Sequence, residues 1–88
     1  MNNQRRKEIN EIIAEVAALA EKIEELKERV EHIKGEEQEA FDNLPESLQQ
    51  GERGQTMEEA IDALDNAYGE LDTIDLEDTE TYLSDATQ

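Results

Sequence analysis

The sequence predicts an all-α protein: an antiparallel helical hairpin with a long coiled-coil first helix, self-associated through that helix. Three observations carry this. Ile9, Ile12, Val16, Leu19, Ile23, Leu26, Val30 and Ile33 recur at alternating steps of three and four residues, the spacing that turns one helical seam toward a partner. A second apolar stripe, Met57, Ile61, Leu64, Tyr68 and Leu71, follows beyond Pro45. Finally, only 35% of the 88 residues are hydrophobic, and Phe41, Tyr68 and Tyr82 are the only aromatics. Such a chain builds one small domain around a thin aliphatic core.

The first helix is placed at about residues 4–43. Taking Ile9 as heptad position a puts Ile9, Val16, Ile23 and Val30 at a and Ile12, Leu19, Leu26 and Ile33 at d. Position e holds Ile13, Ala20, Lys27 and Lys34, and position g holds Glu8, Glu15, Lys22 and Arg29. A parallel pair would set Lys22 beside Lys27 and Arg29 beside Lys34 of the other chain, so antiparallel packing or a bundle is preferred. Gly35 follows His32 and Lys34, a charge placement that suits a helix end. The heptad phase nevertheless holds across it, which favours continuation. Pro45 is the firm stop, because it forces Leu44 out of helical geometry.

Residues 44–56 read as the connection, with room for one helical turn at 46–49. Thr56 and Glu59 have capping-box spacing, which starts the second helix at 57 and carries it to 74. That helix is roughly 27 Å long and the first roughly 60 Å, so 57–74 folds back on 26–44 and cannot cover the rest. Residues 1–74 thus read as a single hairpin domain. Ile9, Ile12, Val16, Leu19, Ile23 and Leu26 form the expected oligomer seam, with a dimer favoured. The acidic segment 75–88 reads as a tail or a short added helix.

Charge separates the two halves. The chain carries 25 Asp and Glu against 8 Lys and Arg, a formal net charge of −17. Seven of the basic residues precede Gly35, whereas 17 of the acidic ones follow Lys34. This balance argues against direct binding of nucleic acid or of an anionic membrane. Glu58, Glu59, Asp62, Asp65, Glu70 and Asp72 stand on the second helix with no basic residue among them, and their mutual repulsion lowers helix stability. These six are the candidate partner-binding surface. Carboxylates on a helical rod can occupy the phosphate-binding groove of a basic protein, the behaviour of a DNA mimic; the simpler alternative is a solvated face.

Catalytic and metal chemistry find no support. There is no cysteine, His32 is the only histidine, and it falls at the solvent-facing position c. Asp72 to Glu80 lacks the ligand spacing and turn glycine of a calcium loop. No cofactor is expected, and no segment has the apolar run of a signal peptide or membrane span.

The run Glu36-Glu37-Gln38-Glu39-Ala40-Phe41-Asp42-Asn43-Leu44-Pro45-Glu46-Ser47-Leu48-Gln49, with Glu52-Arg53-Gly54 and Met57-Glu58-Glu59-Ala60-Ile61-Asp62-Ala63-Leu64, resembles a mostly uncharacterised group of small acidic helical proteins of bacteriophages and related mobile elements. The resemblance covers residues 5–71 and is most specific at 36–64. It implies a bacterial cytoplasmic setting and a phage accessory role, such as countering host defence, and it brings no catalytic residues. The expected function is therefore a non-enzymatic inhibitor that meets a basic host protein through its acidic surface. The alternative is a structural coiled-coil oligomerisation or adaptor protein.

Overall fold

A computed structural model describes residues 1–88 and contains helices only: α1 (Asn3–Asp42), α2 (Glu46–Gln49), α3 (Glu52–Asp72) and α4 (Glu77–Ala86). Two compact units can be distinguished, Met1–Glu25 with Ile74–Gln88, and Leu26–Thr73. No helix is long and apolar enough to cross a membrane.

Helix α1 starts where Asn2 Oδ1 accepts a hydrogen bond from the Arg5 backbone N–H at 2.8 Å, the N-cap arrangement that satisfies an otherwise orphaned donor. It passes Gly35 without a break, as the unbroken heptad phase predicts. It ends at Asp42, three residues before Pro45, and beyond it the Gln49 side-chain amide donates to the carbonyls of Phe41 (3.1 Å) and Leu44 (3.0 Å). Gln49 thereby adds a second donor to the Phe41 carbonyl, which already accepts from the Leu44 N–H, and ties the turn after α1 to α2.

In the unit Leu26–Thr73, α3 returns antiparallel along α1, which is the expected hairpin. Its start differs from the expectation. The N-cap is Gly51, five residues before the expected cap Thr56, and Thr56 Oγ1 donates to the Glu52 carbonyl at 3.0 Å instead of capping. The capping box is not formed because the chain turns earlier, at a corner where Gly54 is buried against α2. A Cβ at Gly54 would overlap the Gln49 carbonyl group, so only glycine admits this approach. The helix also ends at Asp72, before Ile74, which remains 48% exposed. Its inward stripe is otherwise the expected one: Ile61 is buried, and Met57, Ala60, Leu64, Tyr68 and Leu71 are half-buried.

In the unit formed by Met1–Glu25 and Ile74–Gln88, the C-terminal residues form α4. Asp75 Oδ1 accepts from the Glu77 N–H at 2.9 Å, and Glu77, Asp78 and Glu80 crowd the first turn, where carboxylates favour the helix dipole. At the other end Arg6 Nε donates to the Thr87 carbonyl at 3.0 Å, where cationic charge is favoured for the same reason. Leu76 and Leu83 face inward, while Tyr82 is 73% exposed.

The inward rows of α1 differ from the expected seam. In the first unit Ile9, Ile13, Val16, Ala20 and Ile23 are half-buried; in the second, Lys27, Val30, Lys34, Glu37 and Phe41 are. These are positions a and e. Leu26 at d is half-buried too, but Ile12, Leu19 and Ile33, also at d, stay 40%, 52% and 52% exposed. The a/d seam is therefore divided: Ile9, Val16 and Ile23 serve the fold within the chain, and Ile12 and Leu19 face outward. Position e serves because Ile13 and Ala20 are apolar there. Lys27 and Lys34 lay their methylene stems along the groove and keep their ammonium groups at its edge.

Candidate functional site

The acidic surface of α3 is ordered by its pairing with α1. Lys27 Nζ donates to Asp72 Oδ1 at 2.6 Å, and Lys34 Nζ to Asp65 Oδ1 at 2.7 Å. Seven residues forward on α1 thus correspond to seven residues back on α3, as antiparallel helices in constant register require. Lys27 also lies 5.5 Å from the Tyr68 ring centroid, within the range of a cation–π contact. The Lys34 pKa is raised by its hydrogen bond to Asp65; desolvation opposes the shift, and the charges of Asp65 and Glu31 reinforce it.

One further step of seven brings Phe41 opposite Glu58. Here α1 supplies an aromatic ring where the two preceding layers supply a lysine. Phe41, Gln38, Glu58, Ile61 and Asp62 line an open groove of about 230 Å³. No cation of the chain pairs with Glu58, Glu59, Asp62 or Glu70, and all four are exposed. The six carboxylates singled out in the sequence thus divide into two groups. Asp65 and Asp72 hold the hairpin together, while Glu58, Glu59, Asp62 and Glu70 keep their charge for solvent or a partner.

Phe41 is the residue that sequence reasoning missed. The signal was present, since Phe41 continues the e row of Ile13, Ala20, Lys27 and Lys34 at steps of seven. A second groove, of about 210 Å³, includes Ala20, Ile23, Glu24, Leu76 and Glu80 in its lining; it has carboxylates but no aromatic surface. His32 is exposed, with Nε2 2.5 Å from Glu36 Oε1 one turn away. No three acidic or histidine side chains converge as metal ligands.

Compared with known proteins, the chain matches no family model, no curated sequence and no solved structure.

Proposed function

We propose that this protein acts without catalysis, as a phage-type accessory inhibitor in a bacterial cytoplasm. It presents the carboxylates around Glu58 to a basic host protein, one whose groove ordinarily holds nucleic acid. The observation that supports this reading is the third layer of the hairpin, where Glu58 and Asp62 lack an internal cation and Phe41 offers an aromatic surface beside them. A lysine or arginine of the partner finds there what Lys27 finds beside Asp72 and Tyr68: a carboxylate and a ring. Glu59 and Glu70 extend the negative field along α3, which speeds encounter with a cationic surface.

Affinity capture from bacterial lysate, repeated at rising salt and with duplex DNA as competitor, tests the proposal. A nucleic-acid-binding partner should be recovered at low salt and displaced by either treatment. Combining Glu58→Gln with Asp62→Asn should abolish recovery without unfolding the chain, because neither carboxylate is used inside it. Capture that ignores salt, DNA and these two changes would rule the reading out.

A further inference from the structure

The exposed half of the divided seam has no neighbour within the chain. We infer that a second copy of this chain docks antiparallel on α1, d row against d row, with Leu19 at the two-fold axis. This is independent of the acidic surface of α3.

Helix α1 leaves one apolar row uncovered. Ile12, Leu19 and Ile33 are large apolar side chains, each at least 40% exposed, and they recur on one row of a helix that is unbroken from Asn3 to Asp42. Isolated exposed apolar residues need no explanation. A row at heptad spacing does, because it forms a continuous stripe that another helix can cover.

The flank of that row selects the occupant. Position g borders d, and its residues run Glu8, Glu15, Lys22, Arg29: two negative charges, then two positive. All four are exposed. Such a series is complementary to its own reverse. In a parallel pair the g row faces the other flank of the partner's seam, so this series would never meet its own reverse. When the second copy runs the opposite way and Leu19 meets Leu19, Ile12 packs on Leu26. Glu8 then faces Arg29 and Glu15 faces Lys22, twice over by symmetry. The contact of Lys22 with Glu25 within the chain is a weak obstacle, being 3.5 Å long with both side chains more than half exposed. Arg5 of one copy falls opposite Ile33 of the other and can cover it with its stem.

The chain has no cysteine, so single cysteines report on the pairing directly. Under mild oxidation, Leu19→Cys should give a covalent dimer. Ile12→Cys should link only when mixed with Leu26→Cys. Ala14→Cys, on the opposite side of α1, should stay reduced. Efficient self-linking of Ile12→Cys and Leu19→Cys alike would mean parallel pairing and overturn the proposal. So would a strict monomer by sedimentation at tens of micromolar. Charge reversal gives a second reading on folded protein. Glu15→Lys should weaken association roughly tenfold, and adding Lys22→Glu should restore it to within about threefold. A double variant no better than the single one would reject the register.

Discussion

Lys34 and Asp65 are joined by a 2.7 Å hydrogen bond that ties the middle of α1 to the middle of α3. The bond favours the charged ammonium, and the Lys34 pKa is raised above its ordinary 10.5. Between the ordinary value and the raised one, the folded chain holds a proton that the unfolded chain has lost. The stabilising contribution is therefore complete below about pH 10.5 and is lost as pH climbs through the folded value. Asp65→Asn should bring the Lys34 titration midpoint down, as followed by NMR at its ε-methylene. An unchanged midpoint would show that Asp65 is not the cause.

Lys27, one layer away, contributes more through its stem than through its charge. Its side chain is only 12% exposed, while that of its partner Asp72 is 59% exposed. An ion pair with one exposed member contributes little, whereas the buried methylenes exclude water from Tyr68 and its neighbours. Lys27→Met should therefore be tolerated within about 1 kcal/mol, whereas Lys27→Ala should cost about 1–2 kcal/mol. Chemical denaturation of the two variants distinguishes the roles. Equal losses would assign the effect to the charge.

Two glycines should answer the same substitution with opposite signs. Gly35 sits in the interior of α1, and a methyl group added there would meet nothing within 4 Å. Gly35→Ala should therefore stabilise by about 1 kcal/mol through helix propensity alone. At Gly54 the new methyl would collide with the Gln49 backbone. The corner between α2 and α3 must then open, and Gly54→Ala should cost about 3 kcal/mol. It should also loosen the Gln49 amide from the Phe41 and Leu44 carbonyls. Thermal melts of both variants check the pair, and a neutral Gly54→Ala would show that the corner yields easily.

Several features of this fold were legible because they are local and periodic. The heptads of α1, the stop at Pro45 and the inward stripe of α3 follow from spacing and from proline geometry. Other features depended on a choice that periodicity does not make. Positions d and e both border a, and an intramolecular neighbour could have used either. Lys27 and Lys34 decided for e only because α3 brings Asp72 and Asp65 opposite them at the same seven-residue step. The capping signal at Thr56 was genuine chemistry in the wrong place. A threonine hydroxyl serves equally well by donating to the carbonyl four residues back, once the close approach at Gly54 has started the helix earlier. Gln49 gave no pattern at all, since a side chain that ties down the turn after another helix is visible only when the chain has turned.

Ionic strength should stabilise this protein, because screening has two opposed effects of unequal size. Salt weakens attraction and repulsion alike, with a Debye length of about 10 Å at 0.1 M that shrinks to about 3 Å at 1 M. The attractive contacts are few. Lys27–Asp72 and Lys34–Asp65 join α1 to α3, each with an exposed carboxylate; Lys22–Glu25 lies within α1 and is 3.5 Å long. The repulsive ones are many, since 25 acidic residues oppose 8 basic ones and α3 carries Glu58, Glu59, Asp62 and Glu70 without an internal partner. The core that must resist this repulsion is small, with Ile61 its one buried large side chain, 9% exposed. Screening should therefore relieve more strain than it removes attraction. The melting temperature should rise by about 4–8 °C between 10 mM and 1 M sodium chloride, the response of a small domain gaining about 1 kcal/mol. Replacing Glu58 and Asp62 by their amides should reproduce part of that gain at low salt and leave less for salt to supply. A melting temperature that falls with salt would mean that the two lysine bridges outweigh the whole acidic surface.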